Sequence, residues 1–123
     1  MYAGEHGSVV LISSVYGVVG SAANVCYAMT KSAIIGITKA LAMEFAARDI
    51  RVNCVAPGFV KSNMMAENTF RFDSDYMEKL ESMHPLGLCT PEDIANSIAF
   101  LMSDMSKWTT GAVLNVDGGF TAQ

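Results

Sequence analysis

A tyrosine and a lysine four positions apart, Tyr27 and Lys31, are the side chains of this sequence best suited to acid–base chemistry. They stand near the start of a long predicted helix, where residues at this spacing share one face. A phenol ionises at a pH of about 10, and a nearby cation stabilises the phenolate. The pair can therefore act as a general acid or base, a role worth roughly 10²–10⁴ in rate. The spacing alone is weak support, because most such pairs are a core tyrosine beside a solvated lysine.

Ser14 adds to this pair because it directly follows the first predicted strand, Ser8–Ser13. That run is short, apolar and rich in β-branched residues, which is typical of a strand covered on both faces in a parallel sheet. Ligands of open α/β sheets bind outside the carboxyl ends of the strands. Ser14, Tyr27 and Pro57–Gly58 all fall at that end, where the Ser14 hydroxyl can hydrogen-bond a substrate carbonyl. Taken by itself, Ser14 would be interpreted as a loop-capping serine.

The elements that must position these residues follow an alternating α/β pattern. A segment of good helix formers with few polar positions spans Val25–Arg48, and such a helix is expected to be buried on more than one side, against the sheet and against something else such as a partner subunit. Arg51–Ala56 and Gly111–Val116 are predicted strands. Thr90 is a predicted cap for a helix that has Pro91 at its first position. Alternation of strands and helices predicts parallel strands joined by right-handed crossovers.

Composition limits the class of protein. The 123 residues suffice for one domain at most, and 51% hydrophobic with 16% charged residues is far from the composition of disordered chains. The net charge is −4 and the charges are scattered, so no nucleic-acid partner is expected. No apolar run or N-terminal pattern predicts a membrane span or a signal peptide, and we expect a cytoplasmic protein. The three cysteines show no metal-ligand spacing, which predicts free thiols and no metal site.

Taken together, these motifs resemble the short-chain dehydrogenase/reductase family. Ile12–Gly17 followed by Tyr27 and Lys31 is similar to the family's active-site segment. Arg51–Gly58 resembles the following strand with its Pro-Gly turn, and Asn115–Gly119 resembles the C-terminal strand motif. The matches occur in family order and at family spacing along essentially the whole chain. The resemblance implies an α/β fold, namely the C-terminal half of a Rossmann-like doubly wound parallel sheet with three strands and crossover helices.

The resemblance also implies the catalytic roles. Tyr27 would donate a proton to a ketone, or accept one from an alcohol. Lys31 would stabilise the ionised phenol and bind the hydroxyls of the nicotinamide ribose. Ser14 would orient and polarise the carbonyl. The hydride chemistry itself would belong to NAD or NADP.

A second stretch would bind the cofactor together with Tyr27 and Lys31, if the family pattern holds. This stretch would lie along the nicotinamide, and the backbone of Val60 would contact the carboxamide. Relatives usually carry Thr where this chain has Ser62, and Ser keeps the hydroxyl. The cofactor-binding residues of this stretch are Pro57, Gly58, Val60 and Ser62.

The chain departs from the family pattern in two places. It has no Gly-rich turn for the pyrophosphate, no residue that selects NAD or NADP, and no Asn before the first strand. Residues 1–123 are therefore expected to form a partial domain that lacks the N-terminal dinucleotide-binding half, binds NAD(P)H very weakly alone and leaves the edge of its first strand exposed. The second departure is in Pro85–Asp93, which lacks the Arg that relatives commonly carry after Gly and is one residue short. Any contact made by that Arg is in doubt.

The leading interpretation is an oxidoreductase that interconverts a carbonyl and a secondary alcohol, closest to the 3-oxoacyl-acyl-carrier-protein reductase type and active only if the missing half is supplied. A truncated, non-catalytic remnant that acts as an oligomerising or regulatory module is the alternative. A flavodoxin-like binding domain would require the spacing of Ser14, Tyr27 and Lys31 to be coincidence.

Two further expectations concern partners. Homo-oligomers would form through the Val25–Arg48 helix or through the exposed strand edge, and a small-molecule substrate would be selected by the irregular region Met64–Met83. Aromatic and methionine side chains there would either line an apolar pocket or simply pack as an amphipathic helix. These side chains are Phe70, Phe72, Tyr76 and Met77.

Overall fold

Three parallel strands form a single sheet in the computed structural model, which describes residues 6–62 and 74–123. The strands, in sheet order, are β1 (Gly7–Ile12), β2 (Ile50–Pro57) and β3 (Val113–Val116). The helices, in chain order, are α1 (Val25–Phe45), α2 (Ser74–Ser82) and α3 (Pro91–Met102). Helix α1 lies between β1 and β2 in the chain, and α2 and α3 lie between β2 and β3. The predicted α/β fold with three parallel strands is confirmed.

The central strand β2 carries the core. Its residues 52–56 are all buried, as expected for an apolar run covered on both faces of a parallel sheet. Ala42 of α1 packs on Ile50 and Val52, with Leu11 of β1 and Phe45 at the margin of this cluster. The packing of α1 on the sheet therefore fixes where the start of α1 lies relative to the carboxyl ends of the strands.

Strand β3 begins two residues later than the sequence predicts, at Val113 rather than Gly111. Gly111 has a φ of 71°, which is incompatible with an extended strand. Backbone bonds still join this stretch to β2, since the Gly111 N–H donates to the Val52 carbonyl at 2.7 Å. Side chains take the other bonds: the Ala112 N–H donates to Asn53 Oδ1 at 3.1 Å, and the Val52 N–H donates to Thr110 Oγ1 at 3.0 Å. Buried Asn53 is thus satisfied by backbone groups that a regular strand would have used elsewhere.

Helix α1 is shorter than predicted and buried on one side only. It ends at Phe45, and the predicted last turn is a 3₁₀ turn that ends at Asp49 in the left-handed region. Thr38 and Ala42 are its buried residues, whereas Met29 and Met43 are 65% and 80% exposed. Among the described residues α1 is thus buried on one side, and the expected cover of its other side stays a prediction.

Of the other two helices, the sequence predicts α3 and does not predict α2. The predicted cap of α3 is confirmed as a capping box, in which the Asp93 N–H donates to Thr90 Oγ1 and the Thr90 N–H donates to Asp93 Oδ2. The bond from the Thr90 N–H lowers the pKa of Asp93 most, and the bond from the Thr90 hydroxyl lowers it further. The sequence predicts an irregular region over Met64–Met83, and this prediction is wrong for Ser74–Ser82, which form α2. Tyr76 and Met77 lie on α2, whereas Phe70 and Phe72 lie outside the described residues.

Strand β1 forms one edge of the sheet and β3 forms the other. Val9 and Ile12 of β1 are 37% and 40% exposed, which is consistent with the expected apolar edge. Among residues 6–62 and 74–123, no helix has the length and apolar character needed to cross a membrane.

Candidate active site

The loop after β1 holds Ser14 at the carboxyl end of the sheet. The Ser13 N–H donates to the Val55 carbonyl at 2.8 Å, which continues the β1–β2 ladder up to this loop. Ser14 is 8% exposed and caps the 3₁₀ turn Val15–Gly17, since its Oγ accepts from the Tyr16 N–H at 3.2 Å. A hydroxyl that accepts one bond still has a proton to donate. Ser14 is thus a capping serine that keeps a donor for a ligand.

Tyr27 and Lys31 lie on the first two turns of α1 and on the same face. Lys31 Nζ is 5.7 Å from the centroid of the Tyr27 ring, within the range of a cation–π contact. Nζ also donates to the carbonyl of Ile12 at 3.2 Å. This bond ties the ammonium to the last residue of β1, two positions before Ser14. The structure therefore brings the predicted pair together at the end of β1, and Tyr27 remains 46% exposed.

Three residues that sequence reasoning did not single out hold Lys31 against this loop. Ser13 Oγ donates to the Lys31 carbonyl at 2.7 Å, and Ser32 Oγ donates to the Gly17 carbonyl at 3.0 Å. A Cβ added to Gly17 would lie 2.8 Å from the Lys31 carbonyl carbon, so only glycine permits this approach. The sequence around Gly17 gives no sign of this contact, because it joins residues fourteen positions apart.

The predicted nicotinamide stretch begins where β2 ends. Pro57 is the last residue of β2, and the Gly58 N–H donates to the Val116 carbonyl at 3.0 Å. Val60 then forms an isolated parallel bridge with Cys89, in which the Cys89 N–H donates to the Phe59 carbonyl at 3.2 Å. The structure thus places Pro57, Gly58 and Val60 on one continuous stretch beyond the sheet, and Ser62 is its last described residue.

The bridge leaves the backbone of Val60 available. In a parallel bridge the bonds to Cys89 come from the neighbours of Val60, and here the second bond is from the Lys61 N–H to the Cys89 carbonyl at 2.8 Å. The N–H and carbonyl of Val60 itself point the other way. Neither group bonds another backbone group in the described residues. One donor and one acceptor side by side match the hydrogen-bonding groups of a carboxamide.

The C-terminal turn after β3 packs against this stretch. Asp117 is 7% exposed and accepts hydrogen bonds from the Gly119 N–H and from the N–H and hydroxyl of Thr121. Burial by itself would raise the pKa of Asp117, but these bonds outweigh it, and the pKa lies below its ordinary value. The turn is therefore held by an ionised carboxylate, both of whose oxygens accept hydrogen bonds.

The Pro85–Asp93 segment has a buried leucine, Leu88, immediately after Gly87. Together with the turn after β3 it lines a cavity of about 470 Å³. The cavity does not include Ser14, Tyr27 or Lys31 among its lining residues. It is therefore separate from the predicted catalytic residues.

Comparison with known proteins points to one family. The family model described as Enoyl-(Acyl carrier protein) reductase matches residues 1–121. The 3-oxoacyl-acyl-carrier-protein reductase of Chlamydia pneumoniae is 40% identical over 122 residues, which are 98% of this chain and 48% of that protein. The corresponding enzyme of Thermotoga maritima is 43% identical over 116 residues, 94% of this chain and 46% of that protein. The chain spans about half the length of the curated relatives it matches.

Solved structures agree with the sequence comparison. A short-chain dehydrogenase family protein of Francisella tularensis superposes with a TM-score of 0.89 at 32% identity and covers 98% of this chain and 53% of its own. ElxO with NADP bound gives a TM-score of 0.87 at 38% identity, covering 95% of this chain and 47% of its own. A 4-hydroxyisoleucine dehydrogenase complexed with NADH gives 0.87 at 36% identity, covering 95% of this chain and 48% of its own. The chain belongs to the short-chain dehydrogenase/reductase family.

Proposed function

We propose that this chain supplies the catalytic half of an NAD(P)(H)-dependent oxidoreductase that interconverts a carbonyl and a secondary alcohol. The observation that carries the proposal is the set formed by Ser14, Tyr27 and Lys31 at the carboxyl end of β1, where Lys31 Nζ contacts both the Tyr27 ring and the Ile12 carbonyl. Residues 1–123 would form the part of the NAD(P)-binding domain that carries the chemistry. Similarity to curated 3-oxoacyl-acyl-carrier-protein reductases supports a 3-oxoacyl thioester as the substrate.

In the direction of reduction, Ser14 would donate its free hydroxyl proton to the carbonyl oxygen and fix its position. Tyr27 would transfer its phenolic proton to that oxygen as negative charge develops on it. The Lys31 ammonium would stabilise the resulting phenolate, because an opposite charge at this range favours the ionised form. In the direction of oxidation, the same phenolate would accept the proton of the alcohol.

The described residues fit the nicotinamide end of a dinucleotide. The N–H and carbonyl of Val60, which bond no other backbone group within the described residues, would hold the carboxamide. Lys31 with Tyr27 would bind the ribose hydroxyls. Pro57, Gly58 and Ser62 would border the ring. When bound, the cofactor supplies or accepts the hydride. Relatives that hold NADP and NADH support either dinucleotide, and the residue that selects between them is absent from this sequence.

A fusion protein tests the proposal. The part of the Thermotoga maritima reductase that the alignment leaves uncovered is placed before Met1, and loss of NADPH absorbance is followed with acetoacetyl-CoA as the 3-oxoacyl thioester. We expect turnover by the fusion and none by either part alone. Replacement of Lys31 by Met is expected to lower kcat/KM by roughly 10²-fold or more. The matched control is Lys107→Met, which removes an exposed lysine that lies beside Gly7 at the start of β1. This change should leave turnover unchanged.

A folded fusion without turnover would contradict the proposal and favour a non-catalytic module. Circular dichroism and thermal unfolding of the fusion itself check that it is folded. In a separate experiment, the ¹⁵N-labelled amides of the isolated 123-residue chain are titrated with NADPH. We expect weak binding, with shifts at Tyr27, Lys31 and Val60. Shifts confined to residues far from these three would place the cofactor elsewhere.

We further propose that a second copy of the chain covers the exposed side of α1. Val25, Met29 and Met43 lie within about 40° of one another around the helix at 100° per residue, and they are 77%, 65% and 80% exposed. An apolar stripe of this kind is typical of an interface. Sedimentation at increasing concentration should show a dimer or larger assembly, and Met43→Lys should shift it to monomer. A monomer throughout would contradict this proposal.

A further inference from the structure

His84 is a fully buried histidine whose two ring nitrogens are both hydrogen-bonded to backbone. It lies two residues after the end of α2 and is 2% exposed. Nδ1 lies 2.7 Å from the carbonyl of Leu80, and Nε2 lies 3.4 Å from the backbone nitrogen of Phe59. A carbonyl only accepts and an amide N–H only donates, so Nδ1 carries the proton and Nε2 is the acceptor. The ring thus connects the end of α2 to the residue next to Val60.

Two aromatic side chains from other segments also contact the ring, and a third packs against both of them. It stacks on Phe120 with centroids 4.9 Å apart and an interplanar angle of 25°, and the Phe59 ring meets it edge-on at 5.7 Å and 90°. Tyr16 makes edge contacts with both Phe59 and Phe120, at 5.9 Å and 6.2 Å. Tyr16 lies in the turn that Ser14 caps. These rings, which we call the His84 cluster (Tyr16, Phe59, His84 and Phe120), therefore join the catalytic loop to the cofactor stretch.

The backbone between Pro57 and Val60 has no room to move towards this cluster. A Cβ added to Gly58 would lie 3.1 Å from His84 Nε2 and 2.9 Å from the Cα of Asp117. The other side of Gly58 is held by the bond from its N–H to the Val116 carbonyl. The stretch is therefore confined between His84 and the turn after β3, and the direction of the Val60 N–H and carbonyl depends on both.

We propose that His84 is a positioning residue that sets the Phe59–Val60 backbone for the nicotinamide carboxamide. It contacts neither cofactor nor substrate in this role and acts through the bond from the Phe59 N–H. The proposal rests on the proposed function, since it assumes that Val60 holds the carboxamide. It assigns to a buried histidine a part in cofactor affinity and not only in stability.

Two variants separate positioning from packing. His84→Phe keeps a ring for the aromatic contacts and removes both hydrogen bonds. His84→Gln restores an acceptor for the Phe59 N–H, because its side-chain oxygen reaches about as far from the backbone as Nε2. A matched control, Leu101→Ala, removes a buried side chain of α3 (1% exposed) and lowers stability without a contact to the cluster. KM for NADPH, KM for the thioester and kcat are measured on the active fusion. The exchange rate of the Phe59 amide proton is measured on the isolated chain.

We expect His84→Phe to raise KM for NADPH by about tenfold, the usual order for one hydrogen bond, with smaller changes in kcat and in KM for the thioester. His84→Gln should recover most of this loss, and the Phe59 amide should exchange faster only in His84→Phe. Leu101→Ala should lower the melting temperature and leave KM for NADPH unchanged. An unchanged KM in His84→Phe, or equal KM changes in His84→Phe and Leu101→Ala, would overturn the positioning role. If the wild-type fusion does not turn over, the proposed function fails. Faster exchange of the Phe59 amide in His84→Phe, without a change in KM for NADPH, would assign His84 a role in packing only.

Discussion

Replacement of Gly17 by alanine probes the contact that holds Lys31 against the loop after β1. An added Cβ would lie 2.6 Å from Ser13 Oγ and 2.8 Å from both the carbonyl carbon and the carbonyl oxygen of Lys31. Carbon atoms in favourable contact are about 3.5–4.0 Å apart, so the loop or the second turn of α1 must shift by roughly an ångström. The Ser13–Lys31 and Ser32–Gly17 hydrogen bonds cross the same contact and would be distorted by that shift.

Overpacking of this kind costs about 1–3 kcal/mol. We expect the upper part of the range, about 2–3 kcal/mol, because two of the three close atoms are backbone and cannot rotate away. An unfolding entropy of about 2.1 cal/mol/K per residue gives roughly 0.26 kcal/mol/K for 123 residues. The melting temperature should therefore fall by about 8–12 °C. Because Lys31 moves with the helix turn, kcat of the fusion should fall as well.

Thermal unfolding followed by circular dichroism measures this change. Gly20→Ala is the matched control in the same loop, since an added Cβ there meets nothing within 4 Å. Its effect on the free energy of unfolding should stay below about 1 kcal/mol in either direction. Melting temperatures for the two variants within about 2 °C of each other would show that the Gly17 contact does not constrain the loop.

Three other predictions concern separate parts of the chain. Because hydrogen bonds lower the pKa of Asp117, its carboxylate stabilises the fold above the ordinary pKa of about 3.9, and this contribution is lost as the pH falls through the lowered value. The free energy of unfolding in urea should therefore fall more steeply between neutral and acid pH in the wild type than in Asp117→Asn. Equal slopes would contradict this. Thr90→Ala removes the cap of α3 and should cost about 1 kcal/mol in urea unfolding, so an unchanged midpoint would refute the cap's role. Burial raises the pKa of the Cys54 and Cys89 thiols, whereas Cys26 is exposed. An aromatic disulfide reagent should therefore label Cys26 quickly in the native chain and the other two thiols slowly. Rapid labelling of all three would argue against the core described here.

Features that depend on neighbouring residues were predictable from the sequence. The apolar run of β1 and the cap at Thr90 are local patterns whose physical causes lie within a few residues. The Tyr27–Lys31 spacing on a helix also predicts that the two side chains meet, and the structure shows the ammonium over the ring. The parallel direction of the strands and the fold class followed from the alternation of these elements.

Features that depend on residues distant in the chain were not predictable. The start of β3 was misplaced because the Asn53 side chain occupies a ladder position fifty-nine residues away. The role of His84 was missed because its partner Phe59 lies twenty-five residues earlier, and a lone histidine carries no pattern. The contact of Gly17 with Lys31 is not predictable for the same reason. The roles of Ser14, Tyr27 and Lys31 in catalysis remain predictions, to which the structure adds that the three side chains are gathered at the end of β1.

The most direct test of the central claim is kcat of the fusion carrying Tyr27→Phe, with NADPH and acetoacetyl-CoA at saturating concentrations. The change removes only the phenolic oxygen, which makes no hydrogen bond within the described residues, and leaves the ring beneath Lys31 Nζ in place. If Tyr27 is the proton donor, kcat should fall by at least about 10²-fold, with KM for NADPH changed only a few-fold. A variant that keeps more than about a tenth of the wild-type kcat would contradict the assignment, because general acid–base catalysis contributes more than that.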